Sequence, residues 1–310
     1  MPARVVARTP LLYSDGADPT LDRPGHVRAG SALVAWKDHL AVVQDDACFL
    51  AVIDRRSRRV RDVPFPGEVR QFDDARGNKK SKLDLEAAFI TDHDKLLVAL
   101  GSGSSPLRER FVLIEEPASE APRVMLFDAP AFYGLLRSHR ELSGSELNIE
   151  GAVVHGDDLV LFQRGNGAPG ADGTKPVNAT ARIALASLLA YVREGSPLPP
   201  LHDVIEWKLP RGLTFTDGAV APDGGLAFLA CAEDCPDATQ DGPVSEVAFG
   251  RLDEGKRTFT VEPIIDEDGE PLLDKAEGLA WDPADKKRLF VVTDRDDAAT
   301  PSDLLELRLS

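Results

Sequence analysis

The chain has 310 residues, 43% of them apolar and 28% charged, which is ample for a large core, and its net charge of −16 argues against nucleic acid as a partner. No run of 18 apolar residues is present to span a membrane, and the N-terminal MPARVVARTPLLY lacks a positive n-region followed by a long apolar h-region. Three cysteines (Cys48, Cys231, Cys235) make no disulfide framework, so a reducing, cytoplasmic setting is expected.

In chain order, "ARVVARTPLLY" reads as one strand standing ahead of everything that follows. The stretch 28–46, "RAGSALVAWKDHLAVVQDD", then gives a strand, a short turn and a second strand, followed by "CFLAVIDRR" and "RVRDVPFP". The layout recurs at 84–104, "DLEAAFITDHDKLLVALGSGS", with "RFVLIEE" and "RVMLFDAP" behind it. It recurs at 147–167, "LNIEGAVVHGDDLVLFQRGNG", followed by "NATARIALASLLAYV" and "HDVIEWKLP" read as two more strands. The fourth copy is 216–235, "TDGAVAPDGGLAFLACAEDC", with "VSEVAFGRLDE" and "TFTVEPIID". The last, 276–297, is followed only by "DLLELRLS". A helix is expected at 129–142, in a connection between units. "CAEDC" reads as small residues at a strand end, because no further Cys or paired His stands nearby to complete a zinc or redox site.

Five units of four short strands joined by Asp, Gly and Asn turns are the pattern of a propeller. The final unit lacks one strand and the N-terminus has one to spare. A single-domain, five-bladed all-β propeller over 1–310, closed by its N-terminal strand, follows, and closure hides the sheet edges.

The innermost strand of four units opens on an acid: Glu86, Glu150, Asp217 and Glu277, spaced by 64, 67 and 60 residues. In the first unit Gly30 or Ser31 stands instead. Inner strands line a central channel, so the four carboxylates are expected to converge at one mouth. At ~5 Å and an effective dielectric of ~20, each pair repels by roughly 3 kcal/mol. A bound cation or raised pKa values relieve that repulsion, and an all-oxygen ring suits Ca²⁺. The alternative is that the acids cap backbone amides. Second-strand ends reach the same face and bring Arg164, Asn166, Asp294 and Arg295, together with Ser102 and Ser104 of "GSGSS". The connection 68–84 adds Arg70, Arg76, Lys79, Lys80 and Lys82, which points to a small anionic ligand or to a solvated loop.

"DLEAAF" with "LLVALGSGSS", and "LNIEGAVV" with "LFQRGNG", resemble a bacterial β-propeller family of unknown function over most of the chain. The acid-Gly strand starts are also similar to those of calcium-activated nucleotidases (apyrases), five-bladed propellers with a central calcium, and of esterase-like phytases. Those resemblances imply a phosphoester hydrolase with Glu86, Glu150, Asp217 and Glu277 in the metal role. Blade one departs from the pattern, since Gly30 and Ser31 leave one sector without an acid.

No Gly-x-Ser-x-Gly elbow is present, and the six histidines fall mostly in turns or on polar strand positions. The chemistry expected is attack of an ion-activated water on a phosphoryl or ester centre. Glu150 or Asp294 would act as general base, and Arg164 or Arg295 would steady the developing charge. Asn166, Lys82 and the two serines are assigned to ligand binding. Two readings stay open: a Ca²⁺-dependent hydrolase of a small anionic ester, and a non-catalytic propeller whose central ion is structural and whose rim binds a ligand or protein.

Overall fold

Among the described residues, twenty strands form five four-stranded antiparallel sheets arranged as the blades of a propeller. The structure is a computed structural model that describes residues 3–91, 93, 95–234 and 242–309; Cys235 lies outside them. The first strand, β1 (Ala3–Pro10), belongs to the last blade. Blade one is β2 (Gly30–Trp36), β3 (His39–Gln44), β4 (Phe49–Asp54) and β5 (Val60–Pro64). Blade two is β6 (Leu85–Thr91), β7 (Leu96–Gly101), β8 (Arg110–Glu115) and β9 (Arg123–Asp128). Blade three is β10 (Ile149–His155), β11 (Asp158–Gln163), β12 (Ala179–Ala184) and β13 (Leu201–Glu206). Blade four is β14 (Thr214–Val220), β15 (Leu226–Glu233), β16 (Val244–Asp253) and β17 (Thr258–Pro263). Blade five is β18 (Lys275–Trp281), β19 (Arg288–Asp294), β20 (Asp303–Leu309) and β1.

The closure is antiparallel, running from Ala3 against Leu309 to Pro10 against Asp303, with a bulge between Val5 and Ala7. Ala3 and Val5 are buried, and the seam continues where the Leu11 amide donates to the Ser302 carbonyl at 2.9 Å. The inner strands β2, β6, β10, β14 and β18 pack in cyclic order around the axis. Being covered on both sides they are buried along most of their length, polar residues included, whereas the outer β17 alternates partly buried and exposed residues. The core is correspondingly divided into five apolar clusters, one between each pair of neighbouring blades.

Among the described residues three α-helices lie in connections. The expected one between blades two and three is α1 (Pro130–Ser138) with α2 (Arg140–Ser143). The run "NATARIALASLLAYV", expected as a strand, changes halfway: β12 stops at Ala184 and α3 (Leu185–Glu194) begins at once. Leu185, Leu188, Leu189 and Val192 explain the change, since their spacing of three and four makes a helical stripe. That stripe packs on the cluster between blades two and three, and Gly195 at φ 70° ends the helix. No helix among the described residues is long and apolar enough to cross a membrane.

Candidate functional site: a carboxylate ring at one channel mouth

Each inner strand begins with a β-bulge, and the bulge decides which side chain faces the mouth. In β2, β6, β10 and β18 the pairing skips Ser31, Glu86, Glu150 and Glu277. In β14 it skips Thr216, and Asp217 pairs with Leu229. The structural equivalent of the three glutamates in blade four is therefore Thr216, and Asp217 matches Gly151 and Gly278. A one-residue offset turns a side chain away from its neighbours' direction.

Asp217 consequently does not join the ring of acids. Its two oxygens accept the Gly218 and Leu279 amides, both at 2.7 Å, so it ties blade four to the inner strand of blade five. Burial raises its pKa well above the ordinary carboxylate value, against the pull of those amides. Of the four acids assigned to a metal, this one caps backbone, and it fits the alternative reading of the motif. The hydroxyls at the bulged positions of blades one and four are likewise committed: Ser31 donates to the Leu85 carbonyl at 2.6 Å and Thr216 to that of Ala276 at 2.9 Å. The glycines after two of the acids serve close packing, because a Cβ on Gly151 would meet the Gly218 nitrogen at 2.9 Å and one on Gly278 the Leu33 nitrogen at 2.6 Å.

Glu86, Glu150 and Glu277 do come together. They line a cavity of about 40 Å³ with Asp45, Asp84, Glu233 and Asp294. Four cations, Lys82, Arg108, Arg164 and Lys275, and the polar Ser31, Asn148 and Asn166 complete its wall. Oxygens of Asp45, Asp84 and Glu86 lie within 4.8 Å of one another. The Lys82 ammonium bonds Asp45 and stands 2.8 Å from Asp84, which also takes Arg108 at 2.9 Å and the Ser102 hydroxyl. Burial works against the Asp84 carboxylate, but Lys82 and Arg108 outweigh it and hold the pKa low.

Arg164 is 4% exposed and is the hub of the opposite wall. It donates to Glu233 at 2.6 Å and to Thr214 at 3.2 Å, and it lies 3.5 Å from Glu150 and 3.8 Å from Glu277. The Glu150 Oε1 also receives Asn148 Nδ2 at 2.6 Å, and the same amide donates to Asn166 at 3.2 Å. Lys275 spans Glu277 at 3.8 Å, Asp294 at 3.6 Å and Asp296 at 2.9 Å. Burial pushes Glu86 and Glu277 well above the usual carboxylate range. Neighbouring acids add to that shift at Glu86, while Arg164 and Lys275 oppose it at Glu277. Glu150, Asp45 and Asp294 shift the same way, again through burial first. The thiol of Cys231, beside this wall, is pushed up to about 12 by burial.

A second cavity of about 310 Å³ adjoins the first and shares Asp45, Lys82 and Asp294 with it. Its wall adds Arg28, Asp46, Phe72, Asp73, Asp74, Lys79, Asp296 and Asp297. The basic connection is thus largely spent on local acids. Arg76 pairs with Asp22 at 2.6 Å and Asp73 at 3.2 Å, and Lys79 lies 3.8 Å from Asp74. Arg70 donates to the Phe65 carbonyl at 2.5 Å, Lys80 is exposed, and Lys82 alone of the five lines both cavities.

Other assigned residues stand back from the mouth. Arg295 bonds Asp274 and lies 3.7 Å from Asp303, outside the lining of either cavity. Ser102 and Ser104 bond each other at 2.9 Å, and Ser104 receives Arg108 at 2.8 Å, so they brace the wall from behind. Asp84, Asn148 and Lys275 were not singled out in the sequence, yet each stands two residues before a bulged glutamate. That spacing of two, a polar residue ahead of the glutamate in three copies of the repeat, is the signal that would have found them.

No curated protein matches the chain significantly. Among solved structures, it is similar to glutaminyl cyclase from Myxococcus xanthus, at 12% identity and a TM-score of 0.51, over 100% of this chain and 99% of that one. It is also similar to MPT-4, a mannose phosphorylase from Leishmania mexicana in complex with phosphate ion (13% identity, TM-score 0.47, 98% and 88% covered). The β-propeller domain of Myceliophteria thermophila Cps50 (Swd1) gives 10% identity and a TM-score of 0.43 over 91% and 97%. At 12% identity the first likeness concerns the fold alone, and the other two are too slight to carry an argument. The model of a family of unknown function, DUF6929, matches residues 26–309, all five blades apart from the closing strand, and the chain belongs to that family.

Proposed function

We propose that the protein is a divalent-cation-dependent hydrolase of a small anionic ester, a phosphoester foremost, working at the carboxylate mouth. The observation that carries this reading is the imbalance of charge, seven carboxylates facing four cations around about 40 Å³. Repulsion of that size is relieved by protons or by a cation. The donor set is made of oxygens, as a hard ion requires. Glu277 supports the fit, because its Oε2 is buried without a hydrogen-bond partner among the described residues. When bound, Ca²⁺ would polarise an ester or phosphoryl oxygen and acidify water.

The chain's own residues divide the remaining work. Asp294 lines both cavities, and burial raises its pKa above the ordinary carboxylate value, which is the direction a general base requires. Lys82 sits at the same junction and offers positive charge to an anionic group entering from the larger cavity. Glu150 and Arg164, held together with Glu233, keep the far wall in place. At about 310 Å³ the larger cavity is of a size for a small substrate, whereas the ring cavity is of a size for an ion or a few waters.

That small, ion-paired ring equally favours a second reading, a structural ion in a propeller that binds a ligand without chemistry. A panel of phosphoesters, lactones and carboxyl esters, assayed with Ca²⁺ and with EDTA, separates the two. Hydrolysis that EDTA abolishes and Asp294→Asn reduces supports the hydrolase. No turnover of any member, with Ca²⁺ bound, supports the structural ion.

A further inference from the structure

We propose a second site, on the face opposite the carboxylate mouth: the seam between blades one and five binds an oxyanion, a phosphate group foremost. It goes beyond the hydrolase reading and does not depend on it. Inner strands start at the mouth, so the turn after β18 (282–287) and the turn between β4 and β5 (55–59) lie on the far side of the disc. A cavity of about 70 Å³ is found there, lined by Arg55, Arg58 and Arg288, by Glu306 and by the Phe290 ring over an aliphatic floor. Three guanidiniums and one carboxylate make this wall basic, in a chain whose net charge is −16 and whose channel mouth is acidic.

The guanidiniums are held close together and only partly answered. Asp282, whose side chain is fully buried, accepts Arg55 and Arg288 at 2.5 Å each. Both cations also lie over Phe290, at 5.1 Å and 5.7 Å from the ring centre, so one ring fixes them side by side. Glu306 takes Arg58 at 3.0 Å and lies 3.5 Å from Arg288. Two acids thus face three cations, and the surplus of like charge is what an anion would relieve. Donors remain for it. A guanidinium carries five N–H groups; among the described residues the Arg58 side chain uses only Nη2, and Nη2 of Arg288 has no acceptor. Such forks match the paired oxygens of a phosphate. The cavity admits one such group and little more, so the rest of a larger ligand would lie over the same two turns and the strand end beside them. Arg56, Arg59, Lys286, Lys287 and Arg308 are exposed there, with Asp38 and Asp285 pairing with Arg56 and Arg308. The surplus of cations on that rim draws an anion toward the cavity.

The test is calorimetric titration of the full chain with sodium phosphate in the presence of EDTA, for the unmodified protein, Arg58→Gln and Arg288→Lys, with circular-dichroism melts confirming folding. A parallel arm sediments the same proteins with phosphatidylcholine vesicles, with and without phosphatidic acid, whose headgroup is a phosphate monoester. The expected result is binding of phosphate that Arg58→Gln weakens about tenfold or more, the worth of a charge-assisted hydrogen bond. Arg288→Lys should weaken it as well, because an ammonium keeps the charge and loses the fork. If Arg288→Lys does not fold, Arg58→Gln decides alone, since the Arg58 side chain is 59% exposed. Sedimentation that needs phosphatidic acid and is lost in Arg58→Gln supports the site with a lipid headgroup as its source. Phosphate binding without sedimentation supports it with free phosphate as the source. Binding of equal strength in all folded proteins overturns the site and leaves the phosphate elsewhere, and so does the absence of any binding to phosphate at tens of millimolar or to either vesicle.

Discussion

Glu150 and Asp217 each precede a glycine at the start of neighbouring inner strands, yet Glu150 sits in the bulge and faces the mouth while Asp217 sits one place after it and bonds backbone. The two acids differ in work although their local sequences look alike. Asp217→Ala should therefore cost stability, because the Gly218 and Leu279 amides lose their acceptor in a buried place. The expected loss is ~2–4 kcal/mol in urea melts, with Ca²⁺ stoichiometry unchanged by calorimetry. A variant of native stability that no longer binds Ca²⁺ would return Asp217 to the metal role.

Much of the architecture was legible because the repeat has a length of roughly 60 residues and each copy keeps its turns. The spare N-terminal strand was legible from the short final unit. The register inside β14 was not, since a bulge displaced by one residue leaves "TDG" looking like "IEG". Arg295 was misplaced for a related reason: a second-strand end fixes the face a residue is on, but Asp274 and Asp303 decide where its long side chain goes. Arg164 has the same strand position and the opposite outcome, because Glu150, Glu233 and Glu277 surround it.

Arg164→Ala removes the cation shared by those three glutamates. Leaving buried carboxylates unanswered should cost ~3–5 kcal/mol, and added Ca²⁺ should recover part of it. Arg164→Lys should not restore full stability, because an ammonium cannot reproduce the forked contacts to Glu233, Thr214 and Glu150. Thermal melts with and without Ca²⁺ read both effects. A variant as stable as the unmodified protein would show that Arg164 does not hold the ring.

Stability of the Ca²⁺-free protein should fall as pH rises. Burial raises Asp46 to about 7, and Asp45, Glu86, Glu150, Glu277 and Asp294 shift in the same direction. A carboxyl whose folded pKa exceeds its unfolded value binds more protons when folded. Its contribution is full below about pH 4 and is lost as pH passes through the folded value, near 7 for Asp46. Urea midpoints of EDTA-treated protein should therefore decline between about pH 5 and pH 8, and saturating Ca²⁺ should flatten the decline. A midpoint that climbs over that range without Ca²⁺ would contradict the shifts.

Removing residues 1–13 takes away β1 and the buried Ala3, Val5, Leu11 and Tyr13. It also exposes the edge of β20. With ~1.5–3 kcal/mol at stake for each large buried side chain, the loss approaches the whole stability of a typical domain. The truncated chain should be insoluble or melt far below the full one. Unchanged melting would mean that the ring does not depend on its closing strand.

The central claim is that a divalent cation balances the excess carboxylates at the mouth, and equilibrium dialysis of EDTA-treated protein against ⁴⁵Ca²⁺ at pH 7.5 tests it most directly. The account predicts one Ca²⁺ per chain, with affinity falling as pH is lowered and protons compete for the same oxygens. No bound Ca²⁺ at millimolar concentration, at any pH from 6 to 8, would contradict it and leave protons as the balancing charge.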